Sequence, residues 1–366
     1  TYTHLTTPES LEMQQLFAEA RKHKLPVVTA EISSQAYQVH RTYGQHFRYG
    51  IFLDIGPDHI SPHEHPTMED YLRCKEALLE NSDVAIIVRS TDYFDHVLAA
   101  AKKADRTIVV GMAEDGECDY AASNIQKLPR GYAFTVTEKA TGRHDTYKIA
   151  MDGLFNIENA LAAIALCQGL NIPERCVYVG LMKARVPGRM EVYSNADESV
   201  TAIVDYAHNR MSFETLFRSV KAEYPGRRIV TVFGCPGKKA LDRRRDLGEV
   251  SGQYSDLVVL TEEDSGEEDT LSICQEISGY VAAQGCDFSI EPNRGEAIRM
   301  AVMGSETPTV ILITGKGAET RQKRGTEYID TPSDVDYVHT FLREYDVQHG
   351  LDGLEKVRSL LSILPV

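Results

Sequence analysis

Short apolar runs recur along the chain, separated by segments whose apolar residues return every three to four positions. The runs read as buried strands and the segments between them as amphipathic helices. Strands alternating with helices call for parallel sheets covered on both faces, which confines the chain to an α/β architecture. Leu11 to Lys22 predicts a helix, "LPVVTAEIS" a buried strand, "YGIFLDIG" a second strand, and Thr67 to Asn81 a helix. "DVAIIV" and "RTIVVGM" predict strands on either side of a helix from Asp92 to Ala104. A β-rich stretch with polar alternation runs from Ala133 to Met151, and "FNIENALAAIALCQGLNI" reads as a helix. After "KARVPGRMEV" the alternation resumes. Strands are expected at "VTAIVDYA", "RRIVTVFG", "DLVVLTEED" and "TVILITGKG", with helices near 211–223, 243–254, 269–284, 294–303 and 333–345. The Val186-Pro187-Gly188 turn divides the two series. Two doubly wound α/β domains with mainly parallel sheets are expected, 1–186 and 187–366.

Ligands of such sheets sit beyond the carboxyl ends of the strands. "VDYAHN", "VFGCPG", "LTEEDSG" and "ITGKGAE" all fall there. Gly315-Lys316-Gly317 invites comparison with a phosphate loop, but a Walker loop needs G-x-x-x-x-G-K-[ST]. Here the loop is too short, and Ala318 and Glu319 follow where a hydroxyl would hold Mg²⁺.

At 366 residues the chain has room for two ordinary domains, and 42% apolar with 25% charged residues is a soluble globular composition. A net charge of −15 argues against a broad nucleic-acid or membrane-surface footprint. Phosphorylated ligands remain open, because local N–H groups and a few cations suffice for them. Seven scattered cysteines without a C-x-x-C pair fit reduced thiols in a cytoplasmic protein. There is no signal-peptide pattern and no apolar run near eighteen residues. The chain starts without methionine, inside a loop–helix–strand pattern, and is expected to be a fragment.

Eight stretches, in order, resemble the Mur ligase family, most closely its tripeptide-synthetase branch. They are "TTPES", "AEISSQAYQVHR", "DHISPHEHPTMEDYLRCKEALL", "LFNIENALAAIA", "VPGRMEV", "IVDYAHN", "VFGCPG" and "ITGKGAE". The resemblance implies a central-domain remainder followed by a C-terminal domain. The family's uridine-nucleotide domain and G-T-x-G-K-[ST] loop are expected upstream of Thr1. The implied reaction is ATP-dependent amide-bond formation. An amino acid, L-lysine as the first choice, joins UDP-N-acetylmuramoyl-L-alanyl-D-glutamate through an acyl phosphate. These residues alone are expected to be inactive towards ATP.

The resemblance also implies roles. Glu31, His59 and Lys75 would hold Mg²⁺, Lys75 as a carbamate. Asn156 and Asn159, at i and i+3 on one helix face, would meet adenine, although capping alone would also explain Asn156. Arg189 would reach the γ-phosphate, and Asp205 and His208 the ribose or phosphates. Lys75, Arg189 and His208 make up the expected catalytic set. Thr6, Thr7, Ser33 and Arg41 would contact the nucleotide-peptide substrate. Asp264, Gly315 and Glu319 would face the incoming amino acid. Asp58, His59, His63 and His65 could by themselves suggest zinc, but no H-E-x-x-H helix or cysteine partner accompanies them, and His63 and His65 read as loop surface. The segment is two residues longer than the family pattern leads one to expect, and Gln35 replaces a histidine common in relatives.

Diaminopimelate-adding relatives carry D-N-P-R, whose arginine clamps the extra carboxylate. This chain has Asp264-Ser265-Gly266 in that place, within an acidic "TEEDSGEED". The acids read either as a solvated turn before a helix or as a site favouring a cationic side chain. The expected partners are UDP-muramoyl peptide, ATP and an amino acid, with no nucleic acid or membrane, and a monomeric state. Rival expectations are a folylpolyglutamate-synthetase-like ligase and a non-catalytic binding module on the same fold.

Overall fold

A computed structural model describes residues 6–56, 60 and 64–351. The chain divides into two compact units, residues 1–150 with 155–183, and 151–154 with 184–366. Each carries its own six-stranded, mainly parallel sheet.

The first unit contains α1 (Ser10–Lys22), α2 (Ser34–Gln38), β1 (Phe47–Phe52), α3 (Met68–Glu80), β2 (Ser82–Val88), α4 (Phe94–Ala101), β3 (Arg106–Met112), β4 (Tyr120–Lys127), β5 (Tyr132–Glu138), β6 (Arg143–Ile149), α5 (Phe155–Gly169) and α6 (Glu174–Lys183). The sheet order is β1-β2-β3-β4-β5-β6. The first four strands run parallel, and β5 and β6 add antiparallel pairs. Helix α3 starts where the Thr67 hydroxyl accepts the Asp70 N–H at 3.2 Å, with Glu69 and Asp70 favouring the positive helix end. It buries Tyr71, Leu72 and Leu79 against Phe52, Ile55, Ala85 and Ile87.

The second unit contains β7 (Glu191–Ser194), β8 (Val200–Asp205), α7 (Arg210–Glu223), β9 (Arg228–Phe233), α8 (Asp242–Tyr254), β10 (Leu257–Leu260), α9 (Thr270–Ala283), β11 (Asp287–Ile290), α10 (Arg294–Met303), β12 (Thr309–Thr314), β13 (Arg321–Arg324), β14 (Glu327–Asp330) and α11 (Asp334–Gln348). The sheet order is β11-β10-β9-β12-β8-β7, parallel except for β7. Every residue of β8 and β12 is buried, as continuous Val/Ile runs in a doubly covered sheet demand. Strands β13 and β14 form a separate hairpin.

One expectation fails here. "LPVVTAEIS" is not a strand, and Leu25, Val27 and Val28 are exposed. Its apolar run reads as buried only if a neighbouring strand supplies hydrogen bonds. Among the described residues β1 ends the sheet on that side, paired with β2 alone.

Candidate functional site

In the second unit, the loops after β8, β9, β10 and β12 leave adjacent parallel strands at their carboxyl ends. After β8, the Asp205 carboxylate accepts the Met190 N–H and the Ala207 N–H, each at 2.7 Å. Burial pushes this carboxyl up in pKa, against the lowering effect of both amides and of Arg189. Both oxygens are committed to the backbone, so Asp205 clamps the turn that carries Arg189. The Arg189 guanidinium lies 4.7 Å from the centre of the Tyr206 ring, and its side chain stays exposed. His208 Nδ1 is 2.7 Å from the Tyr206 carbonyl, which fixes the ring. Asn209 caps α7 by accepting the Ser212 N–H at 2.9 Å.

After β12, Gly188 and Gly317 pass backbone against backbone, both at positive φ. A Cβ on Gly188 would collide with the Ala318 nitrogen, so the turn before Arg189 and the Gly315–Glu319 loop require these glycines. The intervening Lys316 is buried. Its ammonium donates to Asp264 Oδ1 at 3.0 Å and Glu319 Oε2 at 2.5 Å. Burial alone would lower its pKa, but Glu319 and Asp264 raise it above the ordinary lysine value. The lysine between two glycines is thus a structural cation. Tyr206 donates to Glu319 Oε1 at 3.0 Å, and burial, then Glu319, pushes its phenol up to about 12.

The acidic loop after β10 is engaged with the rest of the unit, with Glu267 and Asp269 on its exposed side. Glu262 is buried and receives Arg324 Nε and Nη2 at 2.9 and 2.7 Å. Asp264 accepts Lys316 and the Lys323 N–H, Glu267 pairs with Lys238, Glu268 with Arg244, and Asp269 caps α9. Glu263 is buried beside Gly315. Burial raises its carboxyl to about 7, although Arg294, Arg243 and Lys316 oppose the shift. Five of the loop's six acids, all but Glu263, thus have hydrogen-bond or ion-pair partners within the unit.

In the first unit, the Thr7 hydroxyl donates to the Glu31 carbonyl at 2.9 Å and accepts the Ser33 N–H at 2.8 Å. Buried Thr7 therefore shapes the loop, while Thr6 is exposed. Ser33 caps α2, its Oγ accepting the Ala36 N–H at 3.2 Å, and Glu31 projects its side chain from the exposed surface just before it. Arg41 donates to Glu9 at 3.0 Å. Lys75 Nζ donates to the Asp54 carbonyl beyond β1 at 2.6 Å and lies over the Phe52 and Tyr71 rings at 5.3 and 5.5 Å. His59 and His63 lie outside the described residues.

Asn159 donates to Asn156 Oδ1 at 3.0 Å, so the expected pair is joined directly. Helix α5 begins at Phe155, which puts Asn156 inside the first turn rather than at the cap. Between them, Glu158 accepts the Ser90 hydroxyl at 2.5 Å. Burial raises the Glu158 carboxyl, with Asp115 and Asp54 adding to the shift. Glu158 and Ser90 went unnoticed in the sequence, where a glutamate between two asparagines carries no signal of its own. His65 is not loop surface. It is 1% exposed and bonded on both ring nitrogens.

The fold and these loops define an α/β protein of two parallel-sheet units whose polar side chains collect at strand ends. Residues 1–167 match the Mur ligase middle domain and 188–317 the Mur ligase glutamate ligase domain. The chain is 36% identical over 321 residues to the UDP-N-acetylmuramoyl-L-alanyl-D-glutamate--L-lysine ligase of Enterococcus faecalis (strain ATCC 700802 / V583), covering 87% of the chain and 63% of that protein. The enzyme of the same name from Streptococcus thermophilus (strain ATCC BAA-491 / LMD-9) is 36% identical over 344 residues, covering 93% and 68%. A solved UDP-N-acetylmuramoyl-L-alanyl-D-glutamate--2,6-diaminopimelate ligase superposes with a TM-score of 0.60 at 22% identity, over 95% of the chain and 70% of that structure. The chain belongs to the Mur ligase family.

Proposed function

We propose that the complete protein containing this chain is an ATP-dependent ligase joining L-lysine to UDP-N-acetylmuramoyl-L-alanyl-D-glutamate. The observation that carries this reading is the 36% identity, over 87% and 93% of the chain, to two proteins named for that reaction. A carboxylate is a poor electrophile, so the γ-phosphoryl of ATP is first transferred to the glutamyl carboxylate oxygen, giving ADP and an acyl phosphate. The lysine amine, having lost its proton, attacks the acyl carbon, and the tetrahedral intermediate expels phosphate. The use of ATP assigns this reaction to the cytoplasm.

Arg189, exposed and stacked on Tyr206, supplies positive charge to the transferring phosphoryl group, and Asp205 holds its turn. His208 stands beside Arg189's ring partner as a phosphate or ribose contact. Asn156 and Asn159 offer amide edges to adenine. Thr6, Ser33 and Arg41 face the nucleotide-peptide, Arg41 exchanging Glu9 for a substrate carboxylate or phosphate, while Thr7 holds the loop. Exposed Glu31 and a carbamoylated Lys75, with His59, would hold Mg²⁺. Carboxylate and carbamate oxygens are the hard donors this ion prefers, and the Lys75 amine lies at the Asp54 carbonyl beyond β1. Bound there, Mg²⁺ would neutralise phosphate charge.

Asp264 and Glu319 receive the amino acid with Lys316 holding them together. The arginine of the diaminopimelate pattern is absent from Asp264-Ser265-Gly266, which supports lysine as the acceptor. Incubating the complete protein with ATP, Mg²⁺, L-lysine and the UDP-muramoyl dipeptide tests the proposal. One ADP and one phosphate should appear per tripeptide, and the absence of tripeptide would refute it.

A further inference from the structure

We propose that His65 is a positioning residue. It forms a relay, Ser34–His65–Asp70, that locks the start of α2, next to Glu31 and Ser33, to helix α3, which carries Lys75. His65 Nε2 lies 2.9 Å from Ser34 Oγ, and Nδ1 lies 2.8 Å from Asp70 Oδ2. The hydrogen bond from His65, and then that from Arg73 at 2.6 Å, holds the Asp70 carboxyl below its usual range. An ionised carboxylate only accepts, so Nδ1 carries a proton towards Asp70 while Nε2 meets the Ser34 hydroxyl. The ring packs 5.1 Å from Tyr71, and Tyr71 lies under the Lys75 ammonium at 5.5 Å, one helical turn away. One residue before His65, the Glu64 carbonyl accepts Gln38 Nε2 at 2.6 Å, tying the same loop to the far end of α2. An imidazole at 1% exposure with both nitrogens satisfied is a fixed spacer, because losing either partner strands a buried polar atom.

Cys74 Sγ lies with the His65 and Asp70 donors within 4.8 Å, a spacing that could hold a metal ion. Both ring nitrogens are already engaged, and burial raises the Cys74 thiol, which disfavours the thiolate a metal needs. The relay is the arrangement the geometry favours.

This inference rests on the ligase reading, and ligation by the unaltered complete protein decides that reading first. The relay is then tested in the complete protein by a double-mutant cycle between Ser34→Ala and Asp70→Asn, whose side chains His65 bridges. Each single change should lower kcat about tenfold, equivalent to about 1.4 kcal/mol of barrier. The KM for ATP and the calorimetric affinity for the UDP-muramoyl dipeptide should hold within about twofold. The double variant should be no slower than either single. His65→Asn, which keeps only the Asp70 bond, and His65→Gln, which keeps only the Ser34 bond, should fall to the same level. Ser34→Ala removes one oxygen and keeps the test decisive if the other variants unfold: unchanged kcat in this variant overturns the relay. Additive losses, or kcat, KM and affinity falling together with melting temperature, also overturn it. So does stoichiometric Zn²⁺ binding by the unaltered protein that disappears in Cys74→Ala.

Discussion

The buried ammonium of Lys316 donates to Asp264 Oδ1 at 3.0 Å, tying the loop after β12 to the loop after β10. It simultaneously holds Glu319 at 2.5 Å, so two carboxylates from different loops share one internal cation. Lys316→Met removes that cation and leaves the carboxylates to repel each other. Charged hydrogen bonds contribute about 1.5–3 kcal/mol, and the partial exposure of Asp264 and Glu319 discounts this, so a loss of about 1–3 kcal/mol is expected. Urea unfolding measures it, and the KM for L-lysine should rise in the complete protein. An unchanged unfolding midpoint would remove Lys316 from its bridging role.

Asp205→Asn should release the Arg189 turn. An amide keeps one acceptor oxygen, but its NH₂ then faces a backbone N–H that it cannot serve. The expected cost is about 1–3 kcal/mol, read by denaturant unfolding, with kcat/KM for ATP falling at least about tenfold. Full activity would mean that the turn holds itself.

Glu263 gives a pH signature. Its folded pKa, about 7, lies above its ordinary value, so the folded state binds the proton more tightly than the unfolded state. Its contribution favours folding at low pH and is lost as pH rises from about 4.5 through about 7. Glu263→Gln mimics the protonated form and should gain on the parent protein over that window, by on the order of 3 kcal/mol at about 1.4 kcal/mol per pKa unit. Urea unfolding at pH 5 and pH 8 checks the sign. A variant that loses ground at pH 8 contradicts it.

Lys75→Ala in the complete protein should abolish ligation, and added bicarbonate should not restore it, because no amine remains to form a carbamate. Tripeptide formation assayed with and without bicarbonate provides the measurement. Near-normal turnover would remove Lys75 from the proposed Mg²⁺ ligands.

The second unit was largely legible because its strands are continuous Val/Ile runs, which only a doubly covered sheet buries. Helix Arg294–Met303 falls where its apolar period puts it. In the first unit, "LPVVTAEIS" misled because burial of an apolar run depends on a neighbour that local sequence does not report. Helix Glu174–Lys183 and strand Tyr120–Lys127, whose periodicity is diluted by polar residues, were not anticipated. Among candidate residues, the contact between Asn156 and Asn159 was readable from i, i+3 spacing. His65 was not. A histidine in "SPHEHPT" looks solvated until α2 and α3 close over it with Ser34 and Asp70. The acidic loop misled in the same way, since its arginine and lysine partners lie far along the chain, at 238, 244, 316 and 324.

With those acids matched internally, the proposed choice of lysine draws its support from the absent arginine rather than from loop charge. Diaminopimelate carries one carboxylate more than lysine, and an arginine clamp on it would supply about 1.5–3 kcal/mol per charged hydrogen bond. The complete protein, given both amino acids at equal concentration with ATP, Mg²⁺ and the UDP-muramoyl dipeptide, should form the lysine tripeptide in at least about tenfold excess, the ratio about 1.4 kcal/mol produces. A clear excess of the diaminopimelate tripeptide would contradict the lysine assignment, and formation of neither would contradict the ligase itself.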